Sequence, residues 1–126
     1  MAQALRLANR DVGDIDYINL HATASTLNDL SEAKAIAGLF SNPPPCSGVK
    51  GLFGHTLGAA GAVETVVSLL ALEREFLPGT CGLEQVDPQC PCPVIASPRL
   101  DSVPKLVLSN AFGFGGNNAS VLLEAA

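Results

Sequence analysis

Basic residues are scarce in this 126-residue sequence, and they form no cluster. Seven Lys and Arg stand against twelve Asp and Glu, so the formal net charge is −5 and the pI is near 4.7. Proteins that bind nucleic acids concentrate positive charge on one face or along one helix. The charge pattern therefore argues against DNA or RNA as a partner.

Long apolar runs are missing as well. Polar residues interrupt residues 1–14 every few positions, and no uncharged run approaches the roughly eighteen apolar residues of a membrane helix. We therefore expect a soluble, cytoplasmic protein with no signal peptide and no membrane insertion, whose cysteines are reduced thiols.

The spacing of the cysteines does not favour a metal site. Only Cys90 and Cys92 lie close together among the four, and one intervening proline is not the spacing of a zinc knuckle. The sequence therefore predicts no bound metal.

What is present is the composition of a globular chain. The hydrophobic fraction is 48% and the charged fraction 15%, which suits one domain, residues 1–126, with a buried core and no internal repeat. Periodicity predicts three helices. The first covers residues 1–9 and the third residues 59–76, while the second has Asn28 or Asp29 as its N-cap and runs to Phe40. It predicts strands over 15–20, 46–49, 106–110 and 119–123, and an irregular segment 77–104 with at most one short strand at 94–96. This alternation indicates an α/β fold with a layered sheet.

The predicted helix 59–76 is apolar around nearly its whole circumference. Such a pattern is typical of a helix enclosed on all sides rather than one lying on a surface. In so small a chain, another part of the protein has to cover it.

Two histidines lie in polar or glycine-rich segments that follow predicted strands, which is where open α/β sheets build their sites. His21 follows the strand 15–20; alone, such a histidine is more often structural than catalytic. His55 stands just before the apolar helix, whose N-terminus, together with Lys50, favours a neutral imidazole that donates one N–H. Glu64 lies inside that helix and is expected to pair with Lys50, because an unpaired buried carboxylate is costly. The alternative is a buried ion pair that only fixes the loop.

A glycine-rich turn joins the last two predicted strands, from Asn110 to Asn118. Its glycines at 113, 115 and 116 could form a nest for phosphate. However, no helix follows, and the spacing matches neither the dinucleotide nor the Walker fingerprint. From the residues alone, a structural hairpin turn is the better interpretation.

The order of these segments resembles the C-terminal part of β-ketoacyl-acyl-carrier-protein synthases of the thiolase superfamily. That family has an HGTxT histidine, a lysine before GHxxGAAG, and a terminal NxFGFGGxN turn, matched here by His21, by Lys50 with His55, and by residues 110–118. The resemblance runs from about Ala2 to the end. It implies the C-terminal half of a thiolase-like fold, without the first strand of that half and with residues 59–76 as its central helix.

The resemblance also implies roles for individual residues. The reaction is elongation of an acyl chain by decarboxylative Claisen condensation with malonyl-acyl-carrier protein, in fatty acid or polyene and polyketide biosynthesis. The implied catalytic residues are His21, His55 and Lys50, supported by Glu64, Asp29 and Glu32. The residues implied in binding substrate or the pantetheine arm are Thr23, Ser25, Phe112, Phe114, Gly115 and Gly116. No cofactor is implied beyond the phosphopantetheine that the carrier protein brings.

The chain departs from the family pattern at several positions. Ala22 stands where glycine is common, so the backbone there must avoid positive φ or carry strain. Ser25 replaces a threonine, and Asn117 together with the HATAS motif is similar to synthases of aryl-polyene pigments. Acyl carrier proteins are acidic and usually bind to basic surfaces, which this net acidic chain does not offer. The basic surface for a carrier protein is therefore expected outside this segment.

The largest departure is the absence of the cysteine nucleophile of the family's Cys-His-His triad. A reactive thiol needs a helix N-terminus or a cationic neighbour, and none of the four cysteines has one: Cys46, Cys81, Cys90 and Cys92. We therefore expect a fragment or separately encoded portion that works with an N-terminal synthase half, in a homo- or hetero-oligomer. Alone, it is expected to self-associate and to lack condensing activity. The alternative is a non-catalytic partner or scaffold subunit comparable to a chain-length factor, against which both histidines and Lys50 argue. A hydrolase or thiolase proper is disfavoured by the FGFGGNN ending.

Overall fold

The structure is a computed structural model that describes residues 1–126. The helices are α1 (Ala2–Ala8), α2 (Thr26–Leu39), α3 (Lys50–Phe53) and α4 (Ala60–Arg74). The strands are β1 (Tyr17–Asn19), β2 (Cys46–Ser47), β3 (Leu106–Phe112) and β4 (Asn118–Glu124). Single 3₁₀ turns lie at Val12–Asp14, Leu57–Ala59 and Phe114–Gly116.

The four strands form one mixed sheet in the order β2-β1-β3-β4. β1 runs parallel to both of its neighbours, so Ile18 lies opposite Cys46 on one side and Leu108 on the other. β3 and β4 form an antiparallel hairpin in which Leu106 faces Glu124 and Phe112 faces Asn118. The parallel arrangement brings the carboxyl ends of β1, β2 and β3 to one edge of the sheet.

Helices cover both faces of the sheet, because alternate strand residues point to opposite sides. On one face, α1 and α2 complete a core cluster of Leu5, Ile15, Ile18, Leu20, Ile36, Phe40, Cys46, Leu106 and Leu108. On the other face, Leu72 of α4 packs with Tyr17, Leu77, Ile95 and Val107. The predicted layered α/β architecture is confirmed.

Helix α4 is covered by its own chain on one side only. It turns small and polar residues towards its own sheet, since Glu64 and Ser68 are buried together with Ala60, Ala71 and Leu72. Its outer face leaves Val66 55%, Leu69 47% and Leu70 42% exposed. The chain therefore covers only one side of the helix, as expected if another part of the protein has to cover the rest; that outer cover stays a prediction.

Most predicted elements are present, with shifted boundaries. Helix α2 begins at Thr26, so the predicted N-cap at Asn28 or Asp29 is wrong; both residues lie in the first turn, and Ser25 holds the cap position without a side-chain hydrogen bond. The short helix α3 was not predicted. The segment 77–104 is irregular as expected, with two isolated bridges, from Val94 to Cys46 and from Leu77 to Arg99. No helix is both long enough and apolar enough to cross a membrane.

Candidate active site

Two histidines and a phenylalanine meet at the edge where β1, β2 and β3 end. The rings of His21 and His55 lie edge-on, with centroids 5.6 Å apart and planes at 84°. Phe112, at the end of β3, packs against His21 with ring centroids 5.5 Å apart. The parallel strands thus assemble residues that are far apart in sequence into one site.

The ammonium group of Lys50 lies at the centre of this site. It donates to the carboxylate Oε1 of Glu64, to the backbone carbonyl of His21, and to Nδ1 of His21 at 3.3 Å. An ammonium has three protons, so all three are used. The predicted pair of Lys50 and Glu64 is confirmed, with side chains only 10% and 2% exposed. Burial raises the pKa of Glu64, and Lys50 opposes that shift.

The hydrogen bonds fix the tautomer of both imidazoles. Nδ1 of His21 accepts from Lys50, and Nδ1 of His55 accepts the backbone N–H of Leu57 at 3.2 Å. A neutral imidazole that accepts at one nitrogen carries its proton on the other. Each ring therefore offers an Nε2–H as a donor.

His21 is neutral at physiological pH. Its pKa falls to about 4, chiefly because the ring is buried and in part because the Lys50 ammonium lies beside it. A protonated ring could not accept from Lys50 at Nδ1, so the same contacts that lower the pKa also hold the tautomer.

Glu32 holds the backbone that carries His21. Its two carboxylate oxygens accept the N–H groups of His21 and Ala22, each at 3.0 Å. Burial raises the pKa of Glu32, and these hydrogen bonds oppose the shift. Ala22 has φ 35° and Ala24 has φ 60°, so the backbone carries the strain that the sequence left open as one of two alternatives.

The other residues singled out in the sequence lie around this centre. Asp29 accepts a hydrogen bond from Asn28 and makes no hydrogen bond to Glu64 or Lys50. The hydroxyls of Thr23 and Ser25 are 3.0 Å apart. Ser25 and Asp29 help to line a cavity of about 290 Å³ between α2 and the segment 80–94.

The hairpin turn lies at the protein surface. The side chain of Phe114 is 95% exposed, and Gly115 and Gly116 have φ of 79° and 83°. Only glycine adopts such values without strain, which explains the glycine pair in the turn. The structure brings Phe112 against His21, whereas Phe114 points to solvent.

Sequence reasoning missed two polar residues behind the site. Asn110 of β3 is fully buried, and its Nδ2 donates to Oε1 of Glu32 at 3.0 Å. Its Oδ1 accepts from the hydroxyl of Ser120 at 2.8 Å. Asn110 could have been noticed in the sequence as an amide at the end of an apolar strand. A polar side chain that is buried in such a place needs a hydrogen-bond partner.

All four cysteines are free thiols. Cys46 is buried in the sheet core, and no cluster of three or more His, Cys, Asp or Glu side chains could hold a metal ion.

Comparison with known proteins gives consistent matches. Residues 1–84 match the family described as "Beta-ketoacyl synthase, C-terminal domain". A "3-oxoacyl-[acyl-carrier-protein] synthase 2" of Mycobacterium leprae is 38% identical over 96% of this chain and 29% of its own length. A mitochondrial 3-oxoacyl-[acyl-carrier-protein] synthase of Arabidopsis thaliana is 39% identical over 99% of this chain and 28% of its own length.

Solved structures give the same result. The chain superposes with a TM-score of 0.95 on "The ishigamide ketosynthase/chain length factor", at 33% identity over 99% of this chain and 31% of that one. It superposes with a TM-score of 0.90 on a ketosynthase in complex with its chain length factor from Xenorhabdus doucetiae, at 41% identity over 100% of this chain and 32% of that one. The chain thus spans about 30% of the length of these relatives.

Proposed function

The chain belongs to the β-ketoacyl synthase family, and from that premise we propose that it forms the enolate-stabilising part of a 3-oxoacyl-[acyl-carrier-protein] synthase. Its fold is the thiolase-like mixed α/β fold of ketosynthases, from their C-terminal third. The proposed reaction is acyl-chain elongation by decarboxylative Claisen condensation with malonyl-acyl-carrier protein.

One observation carries the proposal: two neutral imidazoles stand side by side, each with Nδ1 occupied and Nε2–H free to donate. A malonyl thioester oxygen between His21 and His55 would receive two hydrogen bonds. Such donors act on the charge that develops in the transition state, and each can be worth about 3 kcal/mol.

The chemistry places that charge on the thioester oxygen. The bond from the malonyl α-carbon to its carboxylate breaks, carbon dioxide leaves, and the electron pair forms an enolate. The enolate carbon then attacks the carbonyl of an acyl group held on a cysteine, a carbon–carbon bond forms, and the cysteine leaves as thiolate. His21 and His55 stabilise the enolate, and Lys50 holds His21 in the donating tautomer.

The remaining site residues are proposed to bind and position the substrate. Thr23 and Ser25 present hydroxyls for the pantetheine arm, while Phe112 shapes the pocket and Phe114 gates it. Gly115 and Gly116 allow the turn to approach the substrate closely. Glu64 and Glu32 position the histidine loops, and Asp29 supports that region through the wall of the neighbouring cavity.

The partners follow from this chemistry. We propose that an N-terminal synthase half supplies the cysteine, that an acyl carrier protein delivers the substrates, and that the isolated chain does not condense acyl groups. Solved relatives include a ketosynthase with an acyl-carrier protein and one with a chain length factor. The proposed location is the cytoplasm, although relatives from Arabidopsis thaliana and Schizosaccharomyces pombe are named as mitochondrial.

Supplying the missing half in trans tests the proposal. The chain is mixed with an N-terminal synthase segment that carries the cysteine, and release of labelled carbon dioxide from malonyl-acyl-carrier protein is measured. We expect activity only in the mixture, and a loss of about 10²- to 10³-fold in His21→Ala or His55→Ala. Lys34→Ala, an exposed change on α2, is the matched control. Unchanged decarboxylation in both histidine variants would refute the proposed role.

A non-catalytic partner subunit is the second candidate. Its support is the likeness to solved structures whose titles name a chain length factor. A partner of this kind would leave the trans mixture inactive, yet would change the chain length of the products when added to an active synthase. Mass spectrometry of the released acyl chains separates the two candidates.

A further inference from the structure

A line of buried hydrogen bonds connects the β3–β4 hairpin to the loop that carries His21. The hydroxyl of Ser120 donates to Oδ1 of Asn110 at 2.8 Å, and Nδ2 of Asn110 donates to Oε1 of Glu32 at 3.0 Å. Asn110 is fully buried and Glu32 is 3% exposed, so neither can exchange its partner for bulk water.

The direction of these bonds matters for Asn110. A side-chain amide has a donor end and an acceptor end, and its neighbours decide which way it faces. The carboxylate of Glu32 only accepts, so it takes the Nδ2 end. The hydroxyl of Ser120 accepts from the N-terminal ammonium of Met1 at 2.9 Å and so donates to the Oδ1 end. Without that hydroxyl the buried Oδ1 loses its donor, so the amide is held at its Nδ2 end alone and its alignment with the Glu32 carboxylate is less fixed.

Glu32 connects Asn110 to the loop that carries His21. Its carboxylate accepts the backbone N–H groups of both His21 and Ala22, which lie at the start of a turn with two alanines at positive φ. L-residues adopt such φ values only where the surroundings hold them. Loss of the Asn110 hydrogen bond to Glu32 therefore weakens the hold of the carboxylate on the His21 and Ala22 amides, next to the residues with positive φ.

We propose that Ser120 and Asn110 are positioning residues that orient the Glu32 carboxylate and thereby fix the backbone and imidazole of His21. They touch no substrate; they act through Glu32. The catalytic part of this inference rests on the proposed function, whereas the structural part does not.

Backbone hydrogen exchange of the full chain, labelled with ¹⁵N, tests the structural part. In Ser120→Ala we expect exchange at the His21 and Ala22 amides to accelerate on the order of tenfold, the effect of losing about one hydrogen bond. Ser120→Thr keeps a hydroxyl and should restore wild-type exchange at both amides. Thr65→Val is the control, since that hydroxyl bonds only to the carbonyl of Gly61 within α4.

Two results would overturn the inference. One is unchanged exchange at His21 and Ala22 in both Ser120→Ala and Asn110→Leu. The other is equal acceleration along all of β3 and β4, which would mean that the hairpin was merely destabilised.

A kinetic measurement tests the catalytic part. In the trans mixture with the N-terminal synthase segment, Ser120→Ala should lower kcat for decarboxylation by about tenfold with little change in KM, because the donors are misplaced while substrate binding persists. Ser120→Thr should recover the rate. Failure of the wild-type mixture to react would count against the proposed function alone, since the exchange experiment needs no catalysis.

Discussion

At the scale of single residues, the protonation of the site follows from contacts that also fix its geometry. His21 is buried, its Nδ1 faces the Lys50 ammonium, and its ring lies against that of His55. Each of these features disfavours a proton on the ring, and its pKa falls to about 4. A histidine with an ordinary pKa near 6.5 would be partly charged near neutral pH and a poorer match for Lys50.

The Lys50 contribution can be measured by replacing the ammonium. In Lys50→Met we expect the pKa of His21 to rise, because a positive charge that opposes protonation is removed while the adjacent Glu64 carboxylate stays. Titration of the imidazole resonances by NMR gives the midpoint directly, since the chain has only two histidines. Lys34→Met, on the exposed side of α2, should leave the midpoint unchanged. A midpoint that stays at the wild-type value in Lys50→Met would assign the whole shift to burial.

The lowered pKa also predicts how stability depends on pH. Unfolded histidine titrates near pH 6.5, whereas folded His21 titrates at about 4, so the unfolded chain binds more protons between these values. The contribution of His21 to stability is therefore complete above about pH 6.5 and is lost as the pH falls towards 4. Urea unfolding across this range should show a steeper loss in wild type than in His21→Gln, which has no titrating ring. Parallel pH profiles would contradict the assignment.

At the scale of elements, the loop after β1 packs tightly against the end of β2. A Cβ placed on Gly48 would lie 2.5 Å from the Cβ of Ala22. The glycine in one loop is therefore required by the alanine in the other. The loop after β1 and the end of β2 are thus matched in shape as well as in hydrogen bonding.

This match predicts a compensating pair of substitutions. Gly48→Ala should destabilise the fold by about 1–3 kcal/mol, as overpacking typically does. Ala22→Gly removes the opposing atom, so Gly48→Ala in that background should cost little. Gly38→Ala is the control: no atom lies within 4 Å of its added Cβ, and in α2 it should stabilise by about 0.5–1 kcal/mol. Additive costs in the double variant, measured by urea unfolding, would show that the two positions do not interact.

Much of this arrangement could be predicted from local sequence, and the rest depends on contacts between distant residues. Periodicity located the three longer helices and the hairpin, and a lone glutamate in an apolar helix correctly indicated its pairing with Lys50. The bond from Asn110 to Glu32 spans 78 positions, so no local pattern contains it. The all-round apolar pattern of α4 predicted that the chain alone could not cover the helix, but it could not say which side the chain covers.

At the scale of the whole molecule, α4 joins two surfaces of opposite character. Its inner face buries Glu64 and Ser68 against the sheet, whereas its outer face exposes Val66, Leu69 and Leu70. Apolar area is driven out of water by about 25 cal/mol per Å², so a contiguous exposed apolar face favours association. In the proposed assembly, the N-terminal synthase half covers this face.

We therefore predict that the chain alone self-associates through the outer face of α4. Leu70→Glu places a charge in the middle of that face and should shift the sedimentation of the chain towards monomer. Leu100→Glu is the matched control, because Leu100 is more exposed than Leu70 but belongs to the irregular segment and not to the outer face of α4. The N-terminal synthase segment should compete with self-association, and Leu70→Glu should weaken its binding as well. A monomeric wild-type chain, or equal effects of the two glutamates, would show that the exposed face of α4 does not drive association.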